Sequence, residues 1–115
     1  MKSDGNLKVA VIGSRNAVVD NLGKYLPPDT SEIVSGGARG IDTQAREYAV
    51  ANSIKLTEFL PEYSKYKKAA PLKRNIEIIE YADEVIAFWD GKSRGTKFVI
   101  DTCNKIGKII NIFLV

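Results

Sequence analysis

Ile33-Val34-Ser35-Gly36-Gly37-Ala38-Arg39-Gly40-Ile41-Asp42 is the stretch that decides the fold. A β-branched pair runs into three glycines, and Ile41 then opens a segment with apolar residues at helical spacing, Ile41, Ala45, Tyr48 and Ala49. Glycines between a strand and a helix let the backbone turn sharply and expose its N–H groups with no Cβ in the way. The helix that follows aims its unpaired N–H groups and the positive end of its dipole at the same point, the usual geometry for holding a phosphate. Arg39 adds a fork of donors suited to that anion. Asp42 falls in the first helical turn, where the dipole favours a carboxylate. Capping, pairing with Arg39 and contact with a ribose hydroxyl are all open to it.

Outward from this junction the chain alternates short β-branched runs with helical periods. Lys8 to Ile12 reads as the first strand, closed by Gly13-Ser14-Arg15. From Asn16 or Ala17 to Leu26, apolar residues at Val18, Leu22 and Tyr25/Leu26 predict a helix stopped by Pro27-Pro28. Glu32 to Ser35, Ile54 to Phe59, Glu84 to Trp89 and Lys108 to Val115 read as the other strands. Helices are predicted over Gly40 to Asn52, from Pro71 with Leu72, Ile76 and Ile79 inward, and over Lys97 to Ile106. Leu60 to Ala70 reads as a loop, its Tyr63–Lys68 stretch either a solvated surface or a lid over an anionic ligand. Asp90 to Thr96 is a second glycine-bearing loop.

Strands separated by helical patterns imply right-handed βαβ crossovers. The expected fold is an α/β, Rossmann-like three-layer sandwich, with a parallel five-stranded sheet in the order 3-2-1-4-5 and helices on both faces. In such a sheet the ligand sits beyond the carboxyl ends of the strands, where the strand order reverses. The loops after the first, second and fourth strands then share one rim. Each combines glycine with serine or threonine and an arginine: Gly13-Ser14-Arg15, Ser35 to Gly40, and Asp90-Gly91-Lys92-Ser93-Arg94-Gly95-Thr96. Arg74-Asn75 falls in a first helical turn on the same rim. Arg15 and Arg94 are read as anion contacts against the alternative of solvated charges, and Trp89 as core packing or a stacking platform.

At 115 residues the chain is read as one domain, 1–115, of ordinary apolar and charged content. No apolar run nears the ~20 residues of a membrane span. The first six residues lack a signal-peptide core, so a cytoplasmic, non-membrane protein is expected. The net charge of +3 permits anionic partners without demanding nucleic acid. With no histidine, Ser-His-Asp and Cys-His catalysis and histidine-ligated metal sites are excluded. The single cysteine, Cys103, forms no internal disulfide and no metal cluster; in pattern with Val99 and Ile106 it reads as a small buried hydrophobe. No metal is expected.

Two familiar nucleotide motifs are missing. Arg15 stands where the second glycine of a dinucleotide fingerprint belongs, and Ile86 stands where Gly91-Lys92-Ser93 would need the first glycine of a Walker loop.

Taken in order, the segments Val11–Arg15, Val34–Asp42, Lys73-Arg74-Asn75, Ala82-Asp83 and Ala87–Thr96 resemble the SLOG superfamily. That group joins Smf/DprA DNA-processing proteins to the lysine-decarboxylase-like phosphoribohydrolases; the small stand-alone members related to YpsA and YspA look nearest. The resemblance implies a Rossmann-like fold whose loops bind a small-molecule nucleotide or nucleotide-derived, ADP-ribose-like ligand, in some relatives as a sensor. DprA-like members bind single-stranded DNA, the phosphoribohydrolases cleave an N-glycosidic bond, and relatives often form homodimers. The hydrolase motif departs here: Trp89-Asp90-Gly91 replaces Pro-Gly-Gly, and Val99 stands at the position of the catalytic glutamate. No catalytic residue is therefore assigned. The expected ligand-binding set is Gly13, Ser14, Arg15, Ser35, Gly36, Gly37, Ala38, Arg39, Gly40, Asp42, Arg74, Asn75, Asp90, Gly91, Ser93, Arg94, Gly95 and Thr96.

Overall fold

The computed structural model describes residues 6–115. Five parallel strands, β1 (Leu7–Gly13), β2 (Thr30–Ser35), β3 (Lys55–Glu58), β4 (Glu84–Trp89) and β5 (Ile109–Leu114), pair in the order β3-β2-β1-β4-β5. The central strands are apolar on both sides, as a sheet covered on two faces requires. Val9, Val11, Ile33, Ile86 and Phe88 face one layer; Ala10, Ile12, Val34 and Val85 face the other.

Helix α1 (Ile41–Ala51) covers the first face with Ile41, Ala45 and Ala49, all fully buried. The second face is covered by α3 (Ala70–Tyr81) through Ile78 and Ile79 and by α4 (Arg94–Ile106) through Val99 and Cys103. The three-layer arrangement and the strand order are those that the sequence predicts.

The connection from β1 to β2 departs from expectation. The helix predicted from Asn16 or Ala17 to Leu26 is absent, apart from one 3-10 turn at Leu22–Tyr25. Val18 is exposed, while Ala17, Val19 and Leu22 are buried. The cause lies in another element. The side-chain amide of Gln44 on α1 accepts from the Val19 N–H at 2.9 Å and donates to the Val19 carbonyl at 2.7 Å. That clamp satisfies an extended backbone as a neighbouring strand would, in a segment whose Val, Asn, Asp and Gly residues are weak helix formers.

Smaller corrections follow from packing. Within the expected loop, Tyr63–Tyr66 forms a single helical turn (α2), and Lys67–Ala69 a 3-10 turn leading into α3. Leu72 is exposed, and Ile78 joins Ile79 in the core instead. Ile106 is exposed, whereas Cys103 and Val99 are fully buried as their spacing suggests. α4 begins at Arg94, three residues before the predicted start, because Ser93 caps it by accepting from the Thr96 N–H.

Candidate functional site

The strand order reverses beside β1, so the chain leaves β1 and β4 in opposite directions and a crevice opens between their ends. A cleft of about 360 Å³ lies there. Ile12, Gly13, Arg15 and Asn16 form its floor; Gly36, Ala38 and Asp42 one wall; Asp90, Ser93, Gly95 and Thr96 the opposite wall; and Pro71, Arg74, Asn75 and Ile78 of α3 close its side. Three loops far apart in sequence thus meet at one end of the sheet. Ser14 knits two of them, its N–H donating to the Phe88 carbonyl at 3.0 Å and its hydroxyl accepting from the Asp90 N–H at 3.2 Å.

The loop after β2 is folded tightly on itself. The Gly37 N–H donates to the Ser35 hydroxyl at 3.3 Å, and the Ala38 N–H to Asp42 Oδ2 at 3.0 Å. Gly40 takes φ +74°, and a Cβ there would strike the Arg15 carbonyl. A Cβ on Gly13 would strike the Ile41 side chain. These glycines allow loop and helix to pack against β1. The Arg74 guanidinium lies over Gly36 and donates to its carbonyl at 2.7 Å, while its Nε donates to Asn75 Oδ1 at 2.9 Å. Arg74 therefore braces this wall.

The loop after β4 is built differently. Asp90 Oδ1 accepts from the Lys92 and Ser93 N–H groups, both at 2.8 Å. The Trp89 indole N–H donates to the Ser93 carbonyl at 3.1 Å, so Trp89 braces the turn and does not line the cleft. Over Gly91 and Gly95 the space that a Cβ would fill is empty. The Thr96 and Lys97 N–H groups bond back to Ser93, which leaves those of Arg94 and Gly95 without a partner among the described residues.

Two carboxylates on the cleft wall are pushed in opposite directions. Burial raises Asp42 above the ordinary carboxylate range, against the pull of the Ala38 amide, the Arg74 guanidinium and the Ser35 hydroxyl. The Ser93 and Lys92 amides hold Asp90 below that range.

Of the residues singled out in the sequence, Gly13, Arg15, Gly36, Ala38, Asp42, Arg74, Asn75, Asp90, Ser93, Gly95 and Thr96 line the cleft. Ser14 and Ser35 lie behind it as buried braces. Gly37, Arg39, Gly40, Gly91 and Arg94 are not on its lining, and Arg39 and Arg94 are exposed. Tyr63–Lys68 also stays off the lining. Asn16, Pro71, Ile12 and Ile78 join without having been anticipated; none belongs to a ligand-binding residue pattern, and only the meeting of α3 with the end of β1 puts them together. Val99, at the hydrolase glutamate position, is fully buried, and Asp101 is exposed and paired with Lys97 at 3.0 Å.

A five-stranded parallel sheet in this order, layered by helices and opening a polar cleft at its switch point, defines a Rossmann-like α/β protein. A family model, DNA recombination-mediator protein A, matches residues 1–97, a span that includes every residue lining the cleft. The chain belongs to that family, the DprA/Smf branch of the superfamily that its motifs resemble. No curated protein and no solved structure matches the chain. Among the described residues no helix is long and apolar enough to cross a membrane.

Proposed function

We propose that the cleft binds the phosphate of a nucleotide or nucleotide-derived ligand at the start of α4, opposite Asp42. One observation carries this reading: the Arg94 and Gly95 N–H groups have no partner among the described residues, and Gly95, with open space where a Cβ would stand, lines the cleft. The first turn of a 13-residue helix supplies donors and a favourable dipole, and Arg15 on the floor adds a cation. The loop after β2, the first expectation for the phosphate site, has its Gly37 and Ala38 amides already bonded and a carboxylate facing the same space. Charge-assisted hydrogen bonds contribute about 1.5–3 kcal/mol each. A few suffice for micromolar affinity, about 8 kcal/mol net.

Thermal denaturation against AMP, ADP-ribose, NAD and oligonucleotides tests the reading. A ligand at a hundredfold its Kd adds about 2.7 kcal/mol, a shift of several degrees. Arg15→Ala should then weaken binding at least about tenfold. A midpoint that no compound moves rejects the proposal.

Family membership favours a second reading, in which the bound nucleotide is one unit of a single strand. Exposed Arg39, Lys73, Lys92 and Arg94 around the rim offer further phosphate contacts. This version predicts affinity falling steeply with salt, in proportion to the phosphates neutralised; a compact ligand gives a shallow slope. The relation to YpsA-like members and the pairing of two copies belong to the same proposal. β5 supplies the pairing edge, six residues without a charge and with Ile109, Ile112 and Leu114 exposed. Sedimentation at tens of micromolar as a monomer would remove the dimer.

A further inference from the structure

The segment Pro61–Ala69, between β3 and α3, is pinned at both ends beside the cleft and loosely held in its middle. At its start the Phe59 N–H donates to the Ser35 carbonyl at 2.9 Å, and a Cβ on Gly37 would strike the Leu60 side chain. Leu60 therefore lies against the loop after β2. At its end Ala70 is fully buried and Pro71 lines the cleft. Between these anchors the backbone bonds only to itself. The Lys65 and Tyr66 N–H groups donate to the Glu62 carbonyl, that of Lys67 to Tyr63, and that of Ala70 to Lys67. The Lys73 ammonium, 5.5 Å from the Tyr66 ring centroid, holds the middle to α3. No ion pair among the described residues includes the segment.

Lys67 sits at the turn with φ +53° and ψ −127°. Gly40 has nearly the same backbone, φ +74° and ψ −123°. Glycine enters that region freely, whereas a residue with a side chain enters it only under strain. The strained residue is an exposed lysine, with exposed Lys65 and Lys68 on either side and Glu62 as the one acid of the segment.

From this combination we propose that Pro61–Ala69 is a strap that closes over the occupied cleft and brings the Lys67 ammonium onto the ligand's phosphate, with Lys65 and Lys68 beside it. In the open structure these lysines stay off the lining. An ammonium offers three donors to phosphate oxygens, and closure excludes the water that would weaken their attraction. Movement is confined to a stretch whose own hydrogen bonds can travel with it, and it lets the Lys67 backbone leave its strained state. The inference rests on the nucleotide reading above and adds the group that retains the ligand.

Lysine acylation of the full chain, read by mass spectrometry with and without AMP, ADP-ribose or a short oligodeoxythymidylate, tests it. With a probe that raises the melting midpoint present at saturation, Lys65, Lys67 and Lys68 should react about fivefold or more slowly, as a mostly closed strap requires. Lys55 and Lys105, exposed at the opposite end of the sheet, should react as before. Lys67→Gly removes the charge and the strain together. It should bind about tenfold more weakly, the equivalent of one charged hydrogen bond, while the free protein melts no lower than the original. Lys67→Arg keeps the cation and should retain both binding and protection.

Strap lysines that stay reactive in the bound protein, or a Lys67→Gly variant that binds as the original does, overturn the strap and leave nucleotide binding in place. Protection of Lys73 and Lys92 alone also overturns it, by laying the ligand along the open rim. Equal slowing at Lys55 and Lys105 overturns it by tracing the protection to the whole fold. If no probe moves the melting midpoint, both readings fall.

Discussion

The loop after β2 and the loop after β4 carry the same kinds of letters, glycines beside a serine and an arginine, and the molecule uses them in opposite ways. In the first, Gly36 and Gly40 are pressed against Arg74 and the Arg15 backbone, and the Gly37 and Ala38 amides are bonded within the loop. In the second, Gly91 and Gly95 meet nothing, and the Arg94 and Gly95 amides, like those of Ile41 and Asp42 at the start of α1, are without partners among the described residues. The first loop is a joint that lets α1 close on β1. The second presents donors to open space. A glycine-rich turn is therefore not a phosphate site by composition; what matters is whether the chain itself already fills the room that glycine leaves.

Substitutions at the two loops should separate these roles. The largest effect is expected for Gly40→Ala, which combines positive φ with a clash against backbone that does not yield. A loss of about 3 kcal/mol follows, or a midpoint lowered by roughly 10 °C in a thermal melt. A melt within 2 °C of the original would make the joint reading untenable.

Next comes Arg74→Ala, which strips a donor from the Gly36 carbonyl. About 2 kcal/mol should be lost in urea unfolding, and no loss would mean the guanidinium does not brace the wall. Ser93→Ala, at the cap of α4, should cost about 1 kcal/mol. Because the cap fixes the first turn, ligand affinity should fall with it; unchanged affinity would separate the cap from the site.

Asp42 sharpens the comparison through pH. Its folded-state value is raised, so between the ordinary carboxylate value and the raised one the native state binds more protons than the unfolded chain. Stability from this group should therefore fall as pH rises through that window. Asp42→Asn should flatten the fall, read as urea midpoints from pH 3 to 7; an unaltered profile would contradict the assignment. Asp90 has the opposite sign, its contribution present above the ordinary carboxylate value and lost as pH falls through the lowered one.

The smallest stability effect is expected at Gly95→Ala, within about 0.5 kcal/mol, since nothing lies where the methyl would go. Gly95 lines the cleft, however, so nucleotide affinity should drop. A variant that melts lower yet binds unchanged would reverse the roles of the two loops.

Much of this was legible from residue order. β-branched runs alternating with apolar helical periods dictate a parallel sheet with covered faces, because strands buried on both sides must be apolar throughout and only crossovers can join them. The rim was legible too, since strand order fixes which loops share it. Illegible was the extended path of Ala17 to Leu26, where local periodicity argued for a helix and a side-chain clamp from Gln44, 25 positions away, settled otherwise. Arg39, on a phosphate-like motif, faces solvent, while Arg74, 38 residues beyond Gly36, reaches its carbonyl. No local pattern encodes such meetings.

Sequence alone determined the layer architecture, the strand order and the set of loops that converge, because periodicity and chain chirality leave few alternatives. Tertiary structure alone decided which glycines are packed and which are open, which amides remain to be met, and which carboxylate faces the cleft. Those properties depend on distances between residues remote in the chain, and only the folded packing sets them.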